Sequence, residues 1–144
     1  MEVAGKLPEV HEKRNLATSS AVTDGQNVYA WFSNGQLAAL DINGKPLWTR
    51  HLGQEYATFD LDWGHASSPA LAGDRLILLC YQGSSAFLLA VDKRTGKEIW
   101  KVERPRDVKS YSTPLVIGTA QAPEVIVNSS ESMKAFDAAT GKSL

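Results

Sequence analysis

The side chains most able to do chemistry in this 144-residue chain are few and scattered. The histidines are His11, His51 and His65, and no two of them have the spacing of an HxH or HExxH metal motif. Cys80 is the single cysteine, which rules out an intrachain disulfide and a cysteine-based zinc cluster. It lies in the apolar run LILLCYQG, so it reads as a small buried hydrophobe rather than a reactive thiol. The serine pairs Ser19-Ser20, Ser67-Ser68, Ser84-Ser85 and Ser129-Ser130 sit in no Gly-x-Ser-x-Gly elbow, and no phosphate loop or dinucleotide fingerprint occurs. His65, in Asp62-Trp63-Gly64-His65, and Tyr111 are the residues best placed for recognition. Trp63, His65 and Tyr111 can line a ligand or partner surface. On the alternative reading, Trp63 packs under its connection and His65 hydrogen-bonds a loop carbonyl.

The elements that hold these residues are written in a phrase that recurs three times: ALDINGKPLW at 39–48, AVDKRTGKEIW at 90–100 and AFDAATGKSL at 135–144. Each has Ala, any residue, Asp, a polar turn and Gly-Lys. The first two end in Trp48 and Trp100, and the third stops one residue short of that place. The aspartates Asp41, Asp92 and Asp137 are 51 and 45 residues apart. A period of this size marks a repeat architecture. Ahead of each phrase lies a small-residue segment (Ser20-Ala21, Ser68-Pro69, Thr113-Pro114), then a β-branched or aromatic run. Turn signals such as Asp24-Gly25, Asn34-Gly35, Asn43-Gly44, Gln82-Gly83 and Thr95-Gly96 separate the strands. No segment has sustained helical periodicity. The expected fold is all-β, four strands per unit, as in a propeller blade.

The units divide the chain into 1–16 (a lead-in or the outer strand of a preceding blade), 17–53 (first blade), 54–105 (connection and second blade) and 106–144 (third blade). Asn43-Gly44 predicts a two-residue hairpin and Thr95-Gly96 a three-residue one. Each indole is expected to lie over the Gly of its own hairpin and against the phrase-opening Ala of the neighbouring blade. The docking set is then Ala39, Asp41, Gly44 and Trp48; Ala90, Asp92, Gly96 and Trp100; and Ala135, Asp137 and Gly141. The aspartates are expected to accept amide hydrogens of the following turn, the three glycines to take φ > 0, and Lys45, Lys97 and Lys142 to be solvated.

Composition is that of an ordinary globular domain: 43% hydrophobic, 22% charged, net charge −1. A pI near 6.3 gives no basic footprint for nucleic acid. No stretch reaches the length of a membrane span.

Complete at Ala90–Trp100, the phrase resembles the tryptophan-docking motif of PQQ-type β-propeller repeats, and the resemblance covers about residues 17–144. It implies three blades of an incomplete seven- or eight-bladed propeller. The family includes quinoprotein dehydrogenases and BamB-like lipoproteins of outer-membrane barrel assembly. The resemblance therefore implies a non-catalytic scaffold or protein-interaction module, with no cofactor, in a periplasmic or cell-envelope setting. Its partners are the remaining blades, another protein, or a second copy through open blade faces. The alternative it implies is part of a dehydrogenase using pyrroloquinoline quinone with calcium. Against that stand the lone Cys80, which cannot form the family's adjacent Cys-Cys ring, and the carboxylates Asp60, Asp62, Glu103 and Asp107, none of which sits in a matching motif.

Overall fold

The computed structural model describes residues 18–56, 65–83, 85–104 and 108–144. The lead-in, Trp63, Asp60, Asp62 and Asp107 lie outside the described residues. In the first unit, β1 (Val22–Thr23), β2 (Asn27–Trp31), β3 (Gln36–Asp41) and β4 (Pro46–His51) form one antiparallel sheet in sequence order. One helical turn, α1 (Leu52–Glu55), follows it. That turn breaks the all-strand expectation locally, because Leu52 is drawn fully into the core and its amide donates to the Gly35 carbonyl.

The second unit contains β5 (Ala70–Ala72), β6 (Arg75–Cys80), β7 (Gln82–Gly83), β8 (Phe87–Asp92) and β9 (Glu98–Glu103), followed by β10 (Val108–Lys109). Its sheet runs β5-β6-β8-β9, and β7 pairs with β10 in a side ribbon. Gln82-Gly83 is therefore paired backbone, not the tip of a turn. The third sheet is β11 (Leu115–Gly118), β12 (Pro123–Asn128) and β13 (Met133–Asp137). Beyond it the Leu144 amide donates to the Ala135 carbonyl, on the line the fourth strand takes in the other units. All three sheets are up-and-down antiparallel meanders, the form of a propeller blade.

Strand alternation explains how the sheets stack. In β6, Leu76, Leu78 and Cys80 point one way and Ile77 and Leu79 the other, and all five are fully buried. The first set joins Tyr29, Trp31, Leu37 and Ala39 in a core between sheets one and two. The second set joins Val125, Val127 and Phe136 in a core between sheets two and three. The middle blade is apolar on both faces because both are covered.

Two turn expectations change. The Asp41 amide donates to the Lys45 carbonyl, and the Gly44 amide to Asp41. The loop is thus three residues, and Gly44 alone is left-handed at φ 85°. A two-residue Asn-Gly turn needs Asn43 at positive φ as well, and no non-glycine residue has one among the described residues. The Asp92 amide pairs with Lys97, so that loop holds four residues. Both phrases also carry a bulge. Ala39 pairs with Trp48 but Leu40 with Pro46, and Ala90 pairs with Trp100 but Val91 with Glu98. Leu47 and Ile99 are the extra residues, and both are exposed. The bulge is what lets adjacent apolar residues part, one to solvent and the tryptophan into the seam.

Candidate inter-blade docking site

Each Asp builds the platform of its turn. The Asp41 Oδ1 accepts the amides of Asn43 and Lys45, both at 2.9 Å. The Asp92 Oδ1 accepts the Arg94 and Thr95 amides at 3.0 and 2.8 Å and the Thr95 hydroxyl at 3.0 Å. Asp137 repeats this with Thr140, amide and hydroxyl both at 2.7 Å. Burial opposes ionisation of Asp92, but the Thr95 and Arg94 donors overcome it and hold its carboxyl below the usual range. The Thr140 hydroxyl and amide do the same for Asp137. Groups whose folded pKa is depressed contribute stability above their unfolded pKa, and that contribution is lost as pH falls through the folded value. Unfolding midpoints measured from pH 7 downward are expected to hold to about pH 4 and then drop. Asp92→Asn with Asp137→Asn is expected to flatten that drop.

The platform carries the next blade's glycine beneath an indole. A Cβ added to Gly96 would meet the Trp48 ring at 2.8–3.1 Å, and one on Gly141 would meet the Trp100 ring at 2.8 Å. The Trp48 Nε1–H donates to the Lys93 carbonyl at 3.0 Å, and the Trp100 Nε1–H to the Ala138 carbonyl at 3.1 Å. This corrects the expected pairing. The indole stacks on the glycine of the following blade, and the phrase-opening Ala lies opposite it in its own sheet. A hairpin's own glycine lies at the end of its own sheet, whereas the Trp side chain leaves the sheet perpendicular to it. Only a neighbouring turn can meet that ring. The three glycines have positive φ, and Lys45, Lys97 and Lys142 are exposed.

A second chain of contacts runs through the inner segments. The Ser20 amide donates to the Ser68 hydroxyl at 2.9 Å, and the Ser68 amide to the Thr113 hydroxyl at 3.2 Å. The hydroxyls that recur ahead of each phrase are blade-to-blade acceptors. Spacing alone showed that they recur, but not whose amide they meet.

The two seams differ in character. Two residues past each tryptophan stand Arg50 and Val102. Arg50 Nη1 donates to the Gly96 carbonyl at 2.8 Å, and Arg50 also binds Glu55 and the Tyr56 hydroxyl. Val102 Cγ2 instead packs 3.0 Å from a Cβ built at Gly141. One residue past each Asp stand Lys93, 3.1 Å from the Asp24 carboxylate across the seam, and the fully buried Ala138. The Asn27 amide is the main cause holding the Asp24 carboxyl far below its ordinary range, and burial opposes it. Raising salt from about 0.1 to 1 M, which shortens screening from about 10 to 3 Å, is expected to loosen the first seam by about 0.5–1 kcal/mol. The second seam should not change. Hydrogen exchange of β2–β3 against β12–β13 reads the difference.

The recognition candidates are placed apart from this work. His65 is 1% exposed, with its ring 3.7 Å from that of Trp31. Its Nε2 lies 3.0 Å from the Ser67 carbonyl, so that nitrogen carries the hydrogen. Its own carbonyl accepts the Ser33 hydroxyl. His65 is therefore inside the wall and lines no open surface, while Tyr111 is exposed. Cys80 is fully buried, which pushes its thiol pKa well up. Glu103 is exposed and pairs with Lys101 at 2.9 Å. Among the described residues no three His, Cys, Asp or Glu side chains group as metal ligands. A cleft of ≈ 200 Å³ lies by Tyr56, Phe87, Lys101 and Arg104. Two of these residues lead straight into 57–64 and 105–107, outside the described residues.

A family model described as outer membrane protein assembly factor BamB matches residues 33–144. The chain belongs to the PQQ-like β-propeller repeat family. Solved structures with the same fold include BamB from Moraxella catarrhalis, with TM-score 0.62 and 19% identity over 88% of this chain and 35% of that one. Quinohemoprotein alcohol dehydrogenase from Comamonas testosteroni has TM-score 0.66 and 15% identity over 94% of this chain and 29% of that one. The quinohemoprotein alcohol dehydrogenase ADHIIG from Pseudomonas putida HK5 has TM-score 0.65 and 19% identity over 87% and 19%. The chain thus spans about a third or less of these relatives. No curated protein sequence matches it. As a PQQ-like repeat protein it shares its fold with both a barrel-assembly factor and redox enzymes.

Proposed function

We propose that this PQQ-like repeat chain is a non-catalytic scaffold arc that presents protein-binding faces, in the cell envelope. The observation that carries this reading is how the repeated residues are used. Asp92 is spent on its turn, Gly96 and Gly141 on receiving indoles, Trp48 and Trp100 on the seams, and Ser68 and Thr113 on inter-blade hydrogen bonds. The outer face of the third blade exposes Leu115, Ile117 and Met133, an apolar patch of the kind that marks an interface. No helix among the described residues is long and apolar enough to cross a membrane. The family description supports the envelope setting.

Titrating the protein with pyrroloquinoline quinone and Ca²⁺ tests the reading. The expected outcome is an absorption spectrum equal to the sum of the parts, with no shift in melting temperature. A red-shifted quinone band with a raised melting temperature would instead assign the chain to the dehydrogenase branch.

A further inference from the structure

The cleft at the end of the second blade opens beside Tyr56, Ser85, Phe87, Lys101 and Arg104, with a volume of ≈ 200 Å³. Tyr56 and Phe87 form its aromatic wall, their ring centroids 5.3 Å apart. The Lys101 ammonium lies 5.2 and 5.4 Å from those two centroids. Arg50 and Lys101 are paired with Glu55 and Glu103. Among the described residues no carboxylate pairs with Arg104. Its Nε is buried and has no hydrogen-bond partner. The Tyr81 hydroxyl is also without a partner, in a residue only 2% exposed. Burial raises the Tyr81 pKa, and the nearby Arg104 charge opposes the rise. Buried polar groups nearly always find partners, so these two mark a hydrogen-bonding need that the described chain leaves unmet.

The same residues border a free strand edge. Among the described residues β9 pairs only with β8. The Arg104 amide donates to the Ala86 carbonyl. Antiparallel hydrogen bonds alternate along a strand, so Lys101 and Glu103, opposite Leu89 and Phe87, turn their N–H and C=O groups outward.

We infer that the outer edge of β9 and the adjoining cleft bind an extended acidic segment of a partner protein, added as a fifth strand with its carboxylate at Arg104. The inference rests on the scaffold reading and names the kind of partner. Lys101 and Glu103 exchange main-chain hydrogen bonds with the segment, which supplies affinity without regard to sequence. Directly opposed side chains share a face, and the Lys101 face is that of Tyr56 and Phe87. An acidic residue opposite Lys101 therefore enters the cleft. Volume sets the size of the guest: ≈ 200 Å³ takes one side chain, whereas small-molecule sites run to about 300–1,000 Å³. Charge sets its sign, since Lys101 and Arg104 face Glu103 alone. Glu103 is the competitor, holding Lys101 at 2.9 Å from an exposed position. The first blade offers no equivalent, because Arg50 on β4 is committed to Glu55, the Tyr56 hydroxyl and the Gly96 carbonyl.

The test titrates the isotope-labelled 144-residue chain with an N-acetylated peptide of alternating threonine and valine that carries one central glutamate. At saturation the Lys101 and Glu103 amide protons should move downfield and exchange at least about tenfold more slowly. Replacing the peptide's glutamate by glutamine should weaken binding at least about tenfold, the scale of a charged hydrogen bond. Arg104→Gln should erase that difference between the two peptides and leave melting unchanged, since it strands no partner. Glu103→Gln, at an exposed side chain, should tighten the acidic peptide about two- to fivefold, and it carries the test if Arg104→Gln unfolds. A fully N-methylated peptide, which cannot donate to the edge, should not bind. Equal affinity for the glutamate and glutamine peptides overturns the inference, as does weaker binding in Glu103→Gln. So does free glutarate binding as tightly as the peptide, or no shift at millimolar peptide. None of these outcomes touches the scaffold reading, which the quinone titration decides.

Discussion

Trp100→Ala is expected to lower the unfolding free energy by about 3–5 kcal/mol, the range for removing a buried tryptophan. The indole is 8% exposed, sits in the core between sheets two and three, and holds its one polar atom against the Ala138 carbonyl. A ring of this kind buries about 200 Å², which at about 25 cal/mol per Å² is an upper bound near 5 kcal/mol. Domains of this size are stable by about 5–15 kcal/mol, so the loss is about a fifth or more of the total. Urea denaturation gives the magnitude, and hydrogen exchange should show β11–β13 freed ahead of β2–β3. Trp48→Ala should cost less, because that ring is only half-buried and Arg50 keeps its bond to Gly96. A change below about 1 kcal/mol for Trp100→Ala would mean that the seam does not depend on the ring.

The second large effect is a contrast between two glycines in one conformation. Gly96→Ala and Gly44→Ala each force alanine into the left-handed region, at about 1–2 kcal/mol. At Gly96 the new methyl also lands 2.8 Å from Trp48, a ring pinned by its bond to Lys93, so the indole must leave the platform. Overpacking of that kind adds about 1–3 kcal/mol. At Gly44 the methyl meets open space. Chemical denaturation of the two variants should therefore differ by about 1–3 kcal/mol, with Gly96→Ala the weaker protein. Equal losses would leave only backbone strain and remove the stacked indole from the account.

The strands, the places of most turns though not their lengths, and the importance of the tryptophans were legible because each is a local property. Alternation, a Gly after a polar turn, and a Trp at a fixed offset from Asp all lie within a dozen residues. What the sequence hid was non-local. Which glycine meets which indole depends on how one sheet is set against the next, and no spacing inside a hairpin carries that. The bulges at Leu47 and Ile99 were invisible because two adjacent apolar residues in a strand read as one buried run. The Asn43-Gly44 turn misled because Asn-Gly favours a two-residue loop, while the Asp41 carboxylate, gathering the Asn43 and Lys45 amides, stabilises a three-residue one. Arg50 carried no warning of its link to Gly96, since Val102 holds the same place in the next copy. His65 drew notice as an isolated titratable group beside Trp63. Its neighbour proved to be Trp31, 34 positions away in sequence and packed across the first seam.

Whether the indoles stack on the following blade is read from one spectrum: the nuclear Overhauser contacts of the Trp48 and Trp100 indole protons in the assigned protein. Contacts are expected from Trp48 to the Gly96 Hα and from Trp100 to the Gly141 Hα, both glycine signals shifted upfield, with Gly44 at an ordinary position. Contacts from Trp48 to Gly44, within its own hairpin, or indole protons exchanging freely with water, would contradict it.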